Sequence, residues 1–334
     1  LGQELVDSNS QWRIGQILHE SLQNPERQLK TDRFTRTPLK NVNVQEGINE
    51  EIWQSIRFFG DLEGCAGVKG EYRLFDTAKR IDLHYSIRKN PVTDPEAVYV
   101  AFPFQFPDGK FIYEAQGGMV TPGENQLPRS SSDWQTVQSF IALRNKTGQV
   151  VFGSDEIPLV QFGDLNLGKW QEMVQIEKPH VFSWILNNYW FTNFRATQEG
   201  ELNWSYYLTS TKETDNRSAV RFGWGSRIPF LARVFPTSKD VKKTPAPSLS
   251  WIPWNAPNVI LVDARPARYG DGVILHLREM EGMPSTVDLE GQKTAMKIKR
   301  ADEVNVLEEV VRKKVRSVSF EPFEVKFVRL LARG

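Results

Sequence analysis

Alternation of apolar and polar residues with a period of two restricts most of this chain to β-strands. Across residues 80–88 every second residue is apolar or aromatic, which puts Ile81, Leu83, Tyr85 and Ile87 on one face of a half-buried strand. Residues 323–330 read the same way. Two other runs, Asn258-Val259-Ile260-Leu261-Val262 and Gly272-Val273-Ile274-Leu275, are β-branched and continuous, the pattern of central strands buried on both faces. Turn residues punctuate these runs at Pro107-Asp108-Gly109, Asn145-Lys146-Thr147-Gly148, Glu199-Gly200 and Gly270-Asp271-Gly272. They supply the backbone conformations that hairpins need. The expectation is an all-β chain with a large antiparallel sandwich and few short helices. Helical spacing appears weakly over residues 8–23 and again over residues 301–313, where Val304, Leu307, Val310 and Val311 fall at helical intervals.

With 334 residues the chain suits one large β domain plus a smaller one. Residues 236–248 are polar, charged and proline-bearing, as a linker would be. The division expected is a large β domain over residues 1–240 and a smaller β unit over residues 250–334. Lys239, Lys242 and Lys243 sit in this stretch and read as solvated linker charge. With 42 basic and 41 acidic residues the net charge is +1, which provides no global pull toward nucleic acid or an anionic membrane. The apolar runs are too short to span a bilayer. The one cysteine, Cys65, allows no internal disulfide and reads as a small buried residue in Gly64-Cys65-Ala66-Gly67. Three glycosylation sequons, at Asn145, Asn203 and Asn216, are no more than chance provides, and the compartment stays open. The chain begins at Leu1 without methionine or signal peptide, as a processed end or a boundary inside a longer protein would.

Local catalytic motifs are missing. His19, His84, His180 and His276 stand alone, with no His-x-His, His-Glu-x-x-His or Cys-x-x-Cys pattern to assemble a zinc site from neighbours. No nucleophile elbow and no phosphate-cradling glycine loop occurs. Gly223-Trp224-Gly225 reads as a tight turn. Paired carboxylates, the chemistry of glycoside hydrolysis, cannot be ranked among 41 acids by spacing. The distinctive feature is aromatic: 10 tryptophans, 8 tyrosines and 20 phenylalanines, clustered in residues 182–194 and at Trp204, Tyr206 and Tyr207. Asparagine amides beside aromatic faces suit a sugar, whose ring stacks on the aromatic while amides bridge its hydroxyls. The competing reading is a large aromatic core whose asparagines cap turns.

The same segment carries a family resemblance. His180-Val181-Phe182-Ser183-Trp184 running into Leu186-Asn187-Asn188-Tyr189-Trp190-Phe191-Thr192-Asn193-Phe194 is similar to the aromatic Asn-Asn-Tyr-Trp segment of bacterial family 38 glycoside hydrolases, the α-mannosidase type. Further segments match in order: Ala97-Val98-Tyr99-Val100-Ala101-Phe102-Pro103-Phe104, then Gln126-Leu127-Pro128 with Ser132-Asp133-Trp134, and Pro158-Leu159-Val160-Gln161-Phe162-Gly163. Glu4-Leu5-Val6-Asp7, Leu277-Arg278-Glu279-Met280-Glu281-Gly282 and Phe320-Glu321-Pro322-Phe323 extend the match over nearly the whole chain. The resemblance is to the C-terminal β half of such enzymes. It implies a galactose-mutarotase-like supersandwich followed by a smaller sandwich, packed against N-terminal catalytic and helical domains of the same polypeptide. Zinc and the carboxylate nucleophile are expected in that N-terminal domain and no cofactor in this chain, because no histidine here is followed two residues later by the family's aspartate. The whole enzyme would hydrolyse α-mannosides with retention, and this half would buttress the catalytic domain and shape the glycan cleft. No catalytic residue carries over. The residues nominated for substrate contact are Asp133, Trp134, Asn187, Asn188, Tyr189 and Trp190.

Three functions compete: an accessory half of a hydrolase, a free-standing carbohydrate-binding protein, and a complete mutarotase-type enzyme using a histidine and a carboxylate. The first expects an exposed apolar patch. The second expects sugar binding by this chain alone. The third needs a histidine in a pocket opposite a carboxylate.

Overall fold

A computed structural model describes residues 1–22, 33–189, 195–228, 231–233, 254, 256–289 and 298–332. The chain forms two compact units, Leu1–Thr214 with Ser218–Ile228, and Asp215–Arg217 with Pro229–Gly334. The stretch 236–248, read as a linker, lies outside the described residues, and so do Trp190 and residues 191–194.

The first unit begins with β1 (Gln16–Leu22), β2 (Phe34–Pro38), β3 (Lys40–Glu46), β4 (Trp53–Asp61) and β5 (Cys65–Phe75). β6 (Ile81–Lys89), β7 (Glu96–Pro103), β8 (Lys110–Ala115), β9 (Gly118–Val120) and β10 (Gln135–Thr136) follow. β11 (Ile141–Asn145), β12 (Gly148–Ser154), β13 (Leu159–Phe162), β14 (His180–Asn188) and β15 (Gly200–Thr211) complete its strands. They make two sheets, six-stranded in the order β10-β13-β14-β7-β1-β2 and nine-stranded in the order β3-β4-β5-β6-β15-β12-β11-β8-β9. The pairings within them are antiparallel.

The aromatic residues fill the space between the sheets. Val98, Val100 and Phe102 on β7 face Tyr85, Trp204, Tyr206 and Phe152 of the larger sheet, all buried. Phe102 meets Tyr206 edge-on at 4.8 Å and Tyr85 stacks on Trp204 at 5.3 Å, geometries that add to the gain from burial. The alternation over residues 80–88 holds: Leu83, Tyr85 and Ile87 point into this core, whereas Ile81 stays 40% exposed. Every residue of β7 is buried, because its other face is covered by a second cluster containing Tyr99, Trp184, Leu18 and Tyr189.

Two helical expectations fail, each for a packing reason. Within residues 8–23 the chain forms β1, paired to β2 on one side and β7 on the other, with Ile17 and Leu18 buried on opposite faces. Pairing on both edges overrides a weak amphipathic pattern. Residues 301–313 contain no helix either. β19 (Ile298–Val304) and β20 (Val310–Arg312) are joined by a turn in which Asn305 Oδ1 accepts the N–H of Leu307 and of Glu309, each at 3.0 Å. Of the four residues at helical spacing only Val304 is buried; Leu307, Val310 and Val311 are exposed.

The one described helix, α1 (Asn216–Arg227), contains Gly223-Trp224-Gly225, read from sequence as a turn. Ala219 and Val220 are buried on its inner face. Gly223 lies so close to Phe140 that a Cβ built on it would stand 2.7 Å from that ring's Cβ. Trp224 Nε1 donates to the Glu114 carboxylate at 3.0 Å. Gly223→Ala raises helix propensity yet should destabilise by about 1–3 kcal/mol through overpacking. Urea denaturation of the variant measures this, and a stabilised protein would show that Phe140 yields.

The second unit has its own core. β16 (Val259–Pro266), β17 (Val273–Glu279), β22 (Val325–Ala332), β19 and β20 form a five-stranded sheet, and β18 (Ser285–Asp288) pairs with β21 (Ser317–Phe320). Leu275, Leu277, Val328 and Leu330 pack with Val287, Val318 and Phe320. β17 is buried on both faces, as its continuous pattern requires. β16 is instead an edge strand: Ile260, Leu261 and Val262 are only half-buried, and among the described residues no strand pairs with its second edge. Among the described residues no helix is long and apolar enough to cross a membrane.

Candidate functional site

The outward face of the six-stranded sheet carries a buried carboxylate. Side chains alternate along β1, so Leu18, Glu20 and Leu22 share this face, and Glu20 is 1% exposed. Arg36 Nε donates to Glu20 Oε2 at 2.5 Å; the hydroxyls of Tyr189 and Tyr99 donate to Oε1 at 2.6 and 3.3 Å. Gln161 Nε2 donates to the Tyr99 hydroxyl at 3.2 Å, and its Oε1 accepts the backbone N–H of Asn166. Burial holds both phenols well above the ordinary tyrosine range, and the Glu20 charge adds to it. Both tyrosines therefore remain neutral donors to a carboxylate paired with arginine.

Above this face runs the loop that follows β13. A cleft of about 710 Å³ opens beside it, lined by Asn9, Gln11, Trp12, Asn166, Gln171 and Gln175, with Phe182 and His180 of β14 also in its lining. A second cleft of about 720 Å³ is lined by Phe104, Phe106, Lys110 and Glu124 among others, and His180 borders both. His180 Nε2 bonds Asp7 Oδ2 at 3.0 Å. Burial lowers the imidazole's pKa against the pull of Asp7. For Asp7 burial acts upward, but the Asn9 N–H and His180 outweigh it, and the carboxyl lies below its usual range.

Both shifts have the same sign of linkage. A group whose pKa falls on folding binds its proton more readily in the unfolded chain, so stability rises with pH. For His180 the contribution is whole above about pH 6.5, the unfolded value, and is lost as pH falls through the lower folded value. His84 and His276 shift the same way through burial. The urea midpoint should fall between pH 7 and pH 5, and His180→Gln should flatten part of that slope. A midpoint level across this range would contradict the assignment.

The residues nominated from sequence separate into two groups. Asp133 and Trp134 lie behind the cleft wall. Asp133 Oδ2 accepts the Gly168 N–H at 3.0 Å, Ser132 Oγ accepts the Gln171 N–H at 2.7 Å, and Trp134 packs edge-on against Trp184 at 5.7 Å. Asn187, Asn188 and Tyr189 lie at the other end of β14. Asn187 Oδ1 accepts the Tyr189 N–H at 3.3 Å, and Asn188 is buried with Nδ2 donating to Val92 O at 3.1 Å and Ala196 O at 2.8 Å. Tyr189 is sealed at 2% exposure. The cleft-lining Trp12, Asn166, Gln171 and Gln175 were not singled out, although Asn9-Ser10-Gln11-Trp12 and Trp170-Gln171 carry the same amide-beside-indole signal.

Among the described residues no three His, Cys, Asp or Glu side chains converge on one point. His19 bonds Glu96, His84 Nδ1 bonds Ser205 Oγ at 2.7 Å, and His276 stacks on Phe327 at 4.7 Å. Cys65 is half-buried, and burial pushes its thiol up to about 11.

A different feature marks the inward face of the nine-stranded sheet. By register Val44, Ile56, Leu74 and Ile81 share the face that holds Phe58, Leu83 and Tyr206 in the core. Yet Val42, Val44, Ile56 and Leu74 are 51%, 61%, 48% and 57% exposed. A shallow groove of about 290 Å³ runs among Ile14, Leu39, Val42, Val44, Ile56 and Tyr72. The opposite face of the same strands is charged, with Arg73 on Glu71 at 2.7 Å and Arg80 on Asp82 at 2.6 Å. The apolar face of this sheet thus continues past its cover.

Comparison with known proteins agrees with the resemblance read from the sequence. Residues 258–326 match the glycosyl hydrolases family 38 C-terminal beta sandwich domain. A structure of a protein in the glycosyl hydrolase family 38 from Enterococcus faecalis superposes with a TM-score of 0.70 at 12% identity, over 96% of this chain and 40% of that one. An alpha-mannosidase from Enterococcus faecalis V583 gives 0.72 at 12% identity, over 96% and 39%. At such identity the likeness is one of fold, and this chain spans about two fifths of the length of those proteins. No curated protein sequence matches it.

Proposed function

We propose that this chain, with a family 38 C-terminal sandwich in its second unit and the fold of that family's structures along its length, is the non-catalytic β portion of a glycoside hydrolase acting on α-mannosides. On this reading its larger unit is a galactose-mutarotase-like sandwich that buttresses N-terminal catalytic and helical domains of the same polypeptide. Zinc belongs to that catalytic domain. Among the described residues of this chain no cluster of His, Cys, Asp or Glu has the make-up of a metal site.

The observation that carries the reading is the uncovered apolar face around Val44, Ile56 and Leu74. Contiguous apolar surface of this kind, on a sheet whose opposite face is charged, marks a surface that is covered in the working protein. A free-standing sugar-binding protein has no need of it.

The test is the native gene product, detected in its source cells with an antibody raised to this chain. A product far heavier than 38.4 kDa that hydrolyses p-nitrophenyl α-mannoside and loses activity to a zinc chelator is the expected result. A product of about 38.4 kDa overturns the proposal.

A further inference from the structure

We infer that the cleft over Phe182 binds a neutral pyranoside, with Trp12 as its stacking face and the amides of Asn9, Gln11 and Gln175 as partners for ring hydroxyls. The inference leans on the proposed function only in the choice of sugar tested.

Three properties of the cleft select this ligand class. The first is size: about 710 Å³ is within the range of small-molecule sites and holds a sugar ring with room to spare. The second is charge. Of the ionic groups at the cleft, Arg36 is taken by Glu20, Lys169 by Asp164 at 3.0 Å, and His180 by Asp7; Glu177 and Lys178, which also line it, are adjacent in the chain and opposite in charge. Asp164 sits below its usual carboxylate range, burial notwithstanding, because Lys169 bonds it. A phosphate or a uronate drawn to Arg36, Lys169 or His180 would have to break one of these pairs, whereas a neutral polyol would not.

The third property is the state of the amides. The side chains of Asn9, Gln11 and Gln175 make no hydrogen bond among the described residues, and all three are exposed. Amides that both donate and accept match a hydroxyl, which does the same. Trp12 is half-buried and packs against the outer-face cluster, so its indole is held from behind while it lines the cleft. A pyranose presents an apolar face of C–H groups to such a ring.

The wall is fixed in advance. The loop bearing Asn166, Gln171 and Gln175 is fastened by Asp133 to Gly168 N–H, by Ser132 to Gln171 N–H, and by Asn166 Nδ2 to Phe162 O at 2.7 Å. Trp170 Nε1 adds a bond to Ser130 O at 3.3 Å. A site ordered before binding loses less entropy when the ligand arrives.

Saturation-transfer NMR on this chain tests the inference, with methyl α-D-mannopyranoside as probe and glucuronate and inorganic phosphate as charged competitors. Millimolar binding of the mannoside is expected, undisturbed by either competitor. Trp12→Ala should weaken it about tenfold or more. Because Trp12 also packs, the exposed double variant N9A/Q175A is the companion: its unfolding midpoint should be unchanged and its affinity several-fold lower. No transfer at tens of millimolar mannoside, displacement by phosphate or glucuronate, or unchanged affinity in both variants would each overturn the site. Such a failure leaves the mass and activity of the native product unaffected, and a light native product leaves the cleft's binding unaffected, so the two proposals fail separately.

Discussion

Replacing Lys89 with methionine should destabilise the first unit by about 3–5 kcal/mol, the usual cost of leaving one member of a buried ion pair alone. Lys89 has no exposed side-chain surface and its ammonium lies 2.6 Å from Glu96 Oε1, itself 3% exposed. Two carbonyl oxygens, Gly64 O at 3.0 Å and Asn90 O at 3.2 Å, accept its other protons. The second Glu96 oxygen bonds His19 Nε2 at 2.9 Å. The three side chains come from β6, β7 and β1, so the cluster ties the nine-stranded sheet to the six-stranded one. Without Lys89, Glu96 is a desolvated carboxylate whose remaining partner is a histidine. The double variant Lys89→Met, Glu96→Leu removes both charges and should recover a large part of the loss, since a well-packed apolar pair often equals a buried ion pair. Urea denaturation of both variants decides it: a Lys89→Met loss below about 1 kcal/mol would mean that water reaches the cluster.

This cluster illustrates how far the sequence can be read. His19 and Lys89 sit 70 positions apart in the numbering and meet only because β1 and β6 belong to facing sheets. Period-two alternation tells which residues share a face, and it did so over residues 80–88. It does not tell where the facing sheet ends, which is why Ile81 is in pattern yet exposed while Leu83 is buried. The helical reading of residues 301–313 failed for a related reason. Val304, Leu307, Val310 and Val311 have helical spacing only if the chain does not turn, and Asn305 turns it. For the residues nominated for substrate contact, the residue types were legible in the sequence and their burial was not. Amides beside aromatic rings pointed to residues 187–190, but Asn188 donates to backbone carbonyls and Tyr189 to Glu20. The same residue types at positions 9–12 and 170–175 lie on loops where the groups stay accessible. Asp133 fastens the loop that forms the cleft wall, a contact 35 positions away that no local pattern announces.

Glu20→Leu should cost about 3–5 kcal/mol and loosen the cleft from below. The substitution keeps roughly the volume but strands the Arg36 guanidinium, 23% exposed at its side chain, and deprives the Tyr99 and Tyr189 hydroxyls of their acceptor. Each buried hydroxyl left unsatisfied adds about 1–3 kcal/mol, and the arginine can recover some solvation through its exposed part. Tyr189→Phe isolates one arm. It removes a single donor at 2.6 Å from a charged acceptor and should cost about 1.5–3 kcal/mol. The effect should travel, because Tyr99 accepts from Gln161 and Gln161 accepts the Asn166 N–H at the start of the cleft loop. Hydrogen exchange at Asn166 and Gly168 should therefore speed up in Glu20→Leu more than in Tyr189→Phe, which leaves Tyr99 bonded to the carboxylate. Equal exchange in the two variants, alongside the expected loss of stability, would mean that the carboxylate supports the sheet alone and that Asp133 and Ser132 hold the loop without it.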